Sequence, residues 1–472
     1  MILHFFKLRK IKLIALTLSS LVVGMVLGVL LLGSVISANK PASNYEKIGI
    51  LLKVLNFVES NYVEEVNIKD LIYGAINGML GTLDPHTNFL TPELFKEMKV
   101  DTSGEFGGLG IEVTVKDNIL TVIAPLEGTP AFRAGLKASD KILKINEEFT
   151  DRMNLIEAVS KMRGKKGTPV TIYILREGFK EPQPFTIVRD IIKVESVKSS
   201  LLDSGYGYVR IVSFQERTEK DVRAVLEKLE GEVKKKQSKQ KQPETGLKGL
   251  VLDLRGNPGG LLDQAVRVSD LFLQEGIIVS TIGRNKENKD IEYAHKAGTW
   301  RNVPIVALVN GSSASASEIV AGALQDHKRA VIVGTKTFGK GSVQQVIELS
   351  DNSGLKLTVA KYYTPSGRSI QGKGLDPDIV VEQIDPEVLK EEDKKRQAQK
   401  LLWSEASLPR HLEQEGKEKG TESKEVKSKD MGEEDKTAPI FSDEKYKFDY
   451  QLHQAYGYLK SYSIFQETKP SI

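Results

Sequence analysis

Between residues 191 and 383, short apolar runs alternate with stretches of helical period, and this alternation restricts the fold more than anything else in the chain. "YGYVRIVSF" leads into a helical stretch at 218–231, "GLVLDLRGNPGG" into a helix from Leu261 to Leu273, and "VPIVALV" into a helix ending at Gln325, before "AVIVGT". Strands separated by helices return to one sheet with the helices packed on it, so an α/β layered core is expected. The lysine-rich "KKKQSKQKQPET" at 234–245 interrupts the pattern without an apolar period. It reads as a solvated loop insertion over 232–246, with a basic binding patch as the other reading.

A chain of 472 residues calls for about two to four domains. Residues 39–105 are expected to be helical. Ile48, Leu51, Leu52, Leu55 and Val58 recur at helical spacing, as do Leu71, Ile72, Ala75, Ile76, Met79 and Leu80, until "LDPHTNFL" breaks the pattern. Residues 106–190 carry short β runs instead: "LGIEVTV", "ILTVIAP", "DKILKI", "PVTIYILR" and "PFTIVR", with helix-like "TPAFRAGL" and "LIEAVSKM" between them. In the tail, 384–472, the segment 412–437 mixes charges of both signs with almost no apolar residue and is expected to be disordered. Leu452, Ala455, Tyr456 and Leu459 then restore a helical stripe, which would dock on the core or on a second copy of the chain, leaving a homo-oligomer open.

At the other end, Lys7, Arg9, Lys10 and Lys12 precede a run without charge from Leu13 to Ala38. Such a run spans a bilayer as a helix. The basic flank keeps residues 1–12 in the cytoplasm and sends everything after 39 across. A single-pass transmembrane helix is therefore expected within 1–38, with a cleaved signal as the alternative because Ile36-Ser37-Ala38 reads as a cleavage site. Either way the working part is expected outside the cytoplasm. The net charge of +4 is small and sits largely in lysine-rich stretches, so nucleic acid is not an expected partner. With no cysteine, no HExxH, no paired histidines and no EF-hand loop, neither metal nor cofactor is expected.

"NGSSASASEI" (310–319) places four serines between an apolar strand and a helix. Helix starts present unpaired N–H groups that suit a developing oxyanion, yet Ser315-x-x-Glu318 is also a capping box, and local grounds favour the cap. Downstream, "TKTFGKGSVQQV" (335–346) flanks Lys340 with glycines. A serine hydroxyl needs a base, and a lysine serves once burial removes its charge. His86, His295 and His327 leave a histidine triad as an alternative, although Asp326-His327 reads more simply as the polar end of a helix.

Taken together, these segments resemble the carboxyl-terminal processing peptidases, also called tail-specific proteases. "SASASE" (313–318), "LDLRGNPGG", "AGALQD" (321–326), "YYTPSGRSIQGKGLDPDI" (362–379) and "LDPHTNFL" follow that pattern over about residues 45–383. The resemblance implies a crotonase-like α/β core with an inserted PDZ domain and a Ser–Lys pair. Ser315 would be the nucleophile, Lys340 the base and Gln344 its helper, with oxyanion amides at Gly260 and Ala316. "GGLGIEV" (107–113), "GTPAFRAGLKASDKILKIN" (128–146) and "MRGKKGTPVTIYILREG" (162–178) resemble a PDZ domain, whose carboxylate loop would be Gly108-Leu109-Gly110-Ile111. A strand-initiating turn without a ligand is the other reading of that loop, and Arg163 reads equally as a sensor of bound peptide or an ordinary exposed arginine. The implied protein is a serine endopeptidase of the cell envelope that engages substrates with apolar C-termini and cleaves through an acyl-enzyme, an adaptor being left open. The alternative is a membrane-tethered PDZ module that captures protein tails without cutting.

Overall fold

The computed structural model describes residues 44–203, 205–239, 246–296, 300, 302–385, 387–391 and 448–467. The chain divides into a unit ending at Asp84 and a second beginning at Pro85. The first contains α1 (Asn44–Asn61) and α2 (Ile68–Leu80). The Asn67 side chain starts α2 by accepting from the Lys69 amide at 3.0 Å. The helical periods read from the sequence are realised here. Ile48, Leu51, Leu52, Phe57, Ile72 and Met79 are exposed.

The second unit starts with a strand that the sequence hides. β1 (Asn88–Leu90) lies inside "LDPHTNFL", too short to show an alternating pattern. α3 (Pro92–Ser103) follows, with Thr91 as its cap, Pro92 in its first turn, and Gly104 ending it at φ +70°.

β2 (Glu105–Gly108) leads into a module built of β3 (Ile111–Lys116), β4 (Ile119–Pro125), the short α4 (Pro130–Arg133), β5 (Lys141–Ile145), β6 (Glu148–Phe149), α5 (Leu155–Met162), β7 (Pro169–Leu175) and β8 (Gln183–Val188). β9 (Asp190–Lys193) leads out. It pairs antiparallel with β2, Glu105 opposite Lys193 and Gly108 opposite Asp190, so the module hangs on a two-stranded ribbon. Its sheet runs β3-β4-β5-β7-β8, which leaves β3 on an edge. Val170, Ile172 and Ile174 alternate into the core with Ile142, Ile145, Ala158 and Met162. Asp140, fully buried, is neutralised by Arg176 at 2.6 and 2.7 Å.

The remaining elements are β10 (Val197–Asp203), β11 (Tyr206–Ile211), α6 (Thr218–Lys239), β12 (Gly249–Asp253), α7 (Leu262–Asp270), β13 (Ile277–Gly283), β14 (Lys289–Tyr293), β15 (Ile305–Val309), α8 (Ala316–Asp326), β16 (Ala330–Gly334), β17 (Ser342–Glu348), β18 (Gly354–Tyr363), β19 (Ile379–Val380) and α9 (Tyr450–Glu467). β10-β11-β12-β15-β16-β19 form one sheet, parallel from β11 onward. β12 and β15 are buried throughout, the reason that "GLVLD" and "IVALV" are near-continuous apolar runs. Alternate residues serve the two faces. Leu250 and Leu252 pack with α6, α7 and α8, while Tyr208, Val251, Val306 and Leu308 meet Leu452, Ala455, Tyr456 and Leu459 of α9. A second, antiparallel sheet joins β1, β18, β13 and β14, with β17 also on β18.

One expectation changes. The lysine-rich stretch, expected as a loop over 232–246, is helical as far as Lys239, because Val233 and Gln237 continue the buried stripe of Val222, Leu226 and Leu229. Of the two places left open for the terminal apolar stripe, the chain's own sheet is the one it packs on. The charge-free run at 13–38 and the charged segment at 412–437 lie outside the described residues. Among the described residues no helix is long and apolar enough to cross a membrane.

Candidate active site

The carboxyl ends of β11, β12, β15 and β16 converge, and the loops that leave them carry the residues singled out in the sequence. This is where parallel sheets place ligands and chemistry. From β12 comes Arg255-Gly256-Asn257-Pro258-Gly259-Gly260, from β15 the serine segment, and from β16 the turn leading to Lys340.

The four serines divide by role. Ser312 is exposed in the turn. Ser313 is buried, donating to the Leu254 carbonyl at 2.8 Å and accepting from the Asn310 amide at 3.0 Å. Ser317, also buried, donates to the Asn257 carbonyl at 3.0 Å. Ser315 stands apart: it precedes α8 at φ +55°, ψ −112°, a conformation rarely taken by a residue with a side chain, and its side chain makes no capping hydrogen bond. The Glu318 amide is taken instead by the Ser315 backbone carbonyl at 2.9 Å. Glu318 performs its half of the cap, its Oε2 accepting from the Ser315 amide at 2.8 Å. The Glu318 half of the cap is thus in place without a capping bond from the Ser315 hydroxyl.

Glu318 does more than cap. It is fully buried, and the same Oε2 accepts from the Lys340 amide at 2.9 Å. Its Oε1 accepts from the Gly339 amide at 2.8 Å and the Thr337 hydroxyl at 2.6 Å. Burial raises its carboxyl above the ordinary range despite these four donors. On the carbonyl side, the buried Tyr362 hydroxyl reaches both the Ser315 carbonyl, at 3.1 Å, and the Lys340 carbonyl. Burial raises the Tyr362 phenol well above its usual value, which keeps it a donor. Ser315 and Lys340, distant in sequence, are thus clamped at both N–H and C=O by one pair of side chains.

Lys340 sits between Gly339 and Gly341. A Cβ at Gly341 would lie 2.6 Å from the Gln371 nitrogen, and one at Gly339 2.9 Å from the Gly374 nitrogen, so the "QGKG" strap of 371–374 closes on this turn only because both are glycine. Burial, then the charge of Lys356, lowers the Lys340 ammonium below the usual lysine value, against the pull of Glu318. The Gln344 amide donates to the Ser342 hydroxyl at 2.9 Å and carbonyl at 3.1 Å rather than to Lys340.

Gly260 adopts φ +141°, and a Cβ there would lie 2.1 Å from the Phe214 carbonyl oxygen. At the neighbouring Gly259, a Cβ would meet the Ser315 Cβ at 2.8 Å and the Ala316 nitrogen at 3.1 Å, so this loop lies directly on Ser315. Asn257, buried, laces the loops together: its side chain donates to the Ile211 carbonyl and accepts from the Gly259 amide, both at 2.9 Å. Its carbonyl accepts from the Ala314 amide at 3.0 Å. Among the described residues the amides of Gly260 and Ala316 have no hydrogen-bond partner.

In the β3–β8 module, Leu109 and Gly110 turn their carbonyls inward, to the Ala131 amide and to the Leu126 amide respectively, both at 2.9 Å. Their own amides have no partner among the described residues, and Gly110 is at φ +75°. Gly108 closes β2 and Ile111 opens the edge strand β3. Arg163 caps α5, its guanidinium 4.5 Å from the Phe106 ring of β2 and its Nε buried without a partner. His327 bonds the Ile277 carbonyl and Asp326 pairs with Arg368, so that dipeptide is occupied away from Ser315. Among the described residues no acidic or histidine cluster could hold a metal.

Glu318, Tyr362 and Asn257 escaped the sequence reading as site residues. Glu318 had a usable signal: a glutamate in a helix whose other residues from Ala316 to Leu324 are apolar or small must be buried with partners.

Residues 205–381 match the peptidase family S41 model, 107–182 the PDZ domain model, and 34–93 that of the activating protease CtpB N-terminal domain. The chain is 44% identical to a carboxy-terminal-processing protease of Bartonella bacilliformis, over 90% of this chain and 91% of that protein. It is 36% identical to the carboxy-terminal processing protease CtpA of Bacillus subtilis, over 79% and 78%. Among solved structures, the photosystem II D1 C-terminal processing protease is 29% identical, covering 70% of this chain and 92% of its own, with a TM-score of 0.40.

Proposed function

Because the chain belongs to the carboxy-terminal-processing proteases of peptidase family S41, PDZ-bearing serine peptidases, we propose that it cleaves protein substrates with Ser315 as nucleophile and Lys340 as general base. One observation carries this reading: Ser315, which has no side-chain capping bond, sits at a positive-φ turn whose amide shares a single carboxylate oxygen with the Lys340 amide. Uncharged Lys340 takes the proton from Ser315, whose oxygen attacks the scissile carbonyl. The amides of Gly260 and Ala316 receive the oxyanion. The lysine then protonates the leaving amine and activates water to release the acyl-enzyme. Gln344 reaches the lysine amine by letting go of Ser342.

The amides of Leu109 and Gly110 receive the substrate's terminal carboxylate, and the tail adds as a strand on the β3 edge, in the manner of peptides that extend a sheet. In this reading the charge-free run from Leu13 to Ala38 tethers the enzyme to the membrane, with the peptidase on the exported side.

The test is to incubate the full chain with an unfolded protein ending in apolar residues, and with the same protein ending in an amide. Wild type should cut the first and Ser315→Ala neither, with the amidated tail cut more slowly. If wild type and Ser315→Ala both bind the tail and both leave it whole, the chain is a binding module.

A further inference from the structure

Arg255 opens the loop that ends at Gly260, and every one of its five guanidinium N–H donors is engaged. Nε donates to Asp253 Oδ1 at 3.0 Å and Nη2 to Asp253 Oδ2 at 2.7 Å. The other three bonds go to α9 and the residue before it: Nη1 and Nη2 to the two Asp449 oxygens at 2.8 and 2.7 Å, and Nη1 to Gln451 Oε1 at 3.1 Å. Asp253 is rigid, fully buried at the end of β12 and bonded to the Tyr208 hydroxyl at 2.7 Å. Gln451 is tied in turn to the Val381 carbonyl at 2.7 Å. The guanidinium plane is thus fixed by carboxylates on two sides, one of them delivered from the far end of the chain.

That plane sets the start of the loop, and the rest of the loop is short and constrained. Gly256 is pinned to Asn310 at 3.0 Å, Asn257 is buried, and Gly260 takes a backbone conformation open only to glycine. Loss of the α9 partners would leave three donors of an almost buried cation unpaired, which the side chain escapes only by moving and carrying the loop with it.

We propose that Asp449, seconded by Gln451, is a positioning residue for acyl transfer: through Arg255 it sets the Gly260 amide, so that docking of the terminal helix completes the catalytic frame. The proposal rests on the reading of Gly260 as an oxyanion donor. α9 packs chiefly on β12, β15 and β16, the strands whose carboxyl ends carry the site loops.

The test compares full-length wild type, Asp449→Asn and Gln451→Leu. Asparagine caps a helix as well as aspartate does, so the first variant removes the carboxylate and keeps the start of α9. Deleting an oxyanion donor costs about 10²–10³ in kcat, so displacing one should cost Asp449→Asn about 10- to 100-fold, with KM changed by less than about twofold. Gln451→Leu should lose less, and it stands in if Asp449→Asn fails to fold. Amide hydrogen exchange over 255–262 should speed up in both. An unchanged kcat in folded Asp449→Asn, or unchanged exchange over 255–262, overturns the proposal. Absence of Ser315-dependent cleavage in wild type would instead sink the peptidase reading, while exchange still decides whether Asp449 holds the loop.

Discussion

Replacing Glu318 by glutamine tests the clamp between Ser315 and Lys340. A glutamine oxygen placed on the Oε2 side keeps both amide donors, Ser315 at 2.8 Å and Lys340 at 2.9 Å. Its NH2 group then faces the Gly339 amide, which loses its acceptor, and the Thr337 hydroxyl, which already accepts from the Leu375 amide at 2.7 Å. One orphaned buried amide costs about 1–3 kcal/mol, and the two retained bonds each weaken by about 1 kcal/mol on losing charge assistance. Relief of the buried charge returns part of this, so a net loss of about 2–4 kcal/mol is expected in urea unfolding, sizeable against a total of about 5–15. Burial raises the Glu318 carboxyl in the fold, so the stability of its uncharged form is present in mild acid and lost as pH rises through the folded value. The gap between wild type and variant should therefore narrow toward neutral pH. Activity shifts independently. The Glu318 charge pulls the Lys340 ammonium upward, so removing it lowers that ammonium further. A base works uncharged, and the acidic limb of kcat/KM against pH should move to lower pH. A limb that stays put or moves upward, or an unchanged urea midpoint, refutes the clamp as described.

Lys356→Met removes the neighbouring cation that lowers Lys340, so its acidic limb should move the other way, to higher pH. Ser315→Gly should abolish cleavage yet stabilise the fold by about 1 kcal/mol, since relief of strain at φ +55° outweighs the added chain entropy; thermal melting beside a cleavage assay checks both. Leu452→Ala, at a fully buried contact of α9 with the sheet, should cost about 2–5 kcal/mol in urea unfolding.

What could be read from the sequence followed from strong local patterns. β12 and β15 announce themselves as unbroken apolar runs because both their faces are covered, and Leu452 to Leu459 announce a helix by period, though not the surface it docks on. Ser315 and Lys340 were singled out by their segments and by resemblance, and the fold ties both to Glu318. Patterns failed where partners are remote. β1 is three residues long and exists only by pairing with β18. The lysine run looked like a loop because charge on the outer face hid Val233 and Gln237 on the inner one. Glu318 declared its cap and concealed its bonds to the Lys340 turn. Nothing near "LDLRGNPGG" says that Arg255 waits for Asp449, since ion pairs between distant segments leave no periodic trace. The resemblance assigns Gln344 to Lys340, whereas its amide rests on Ser342, a rotamer choice that sequence does not encode.

The ribbon of β2 and β9 brings Gly108 and Asp190 side by side, so the whole intervening stretch enters and leaves at one doorway. Joining those two residues through an Asn-Gly turn would leave an ordinary β-hairpin. The PDZ portion is thus a cassette. It can be excised, exchanged or duplicated without rethreading the sheet beneath, and a lineage of such enzymes could change whom it addresses while its hydrolytic engine stays the same.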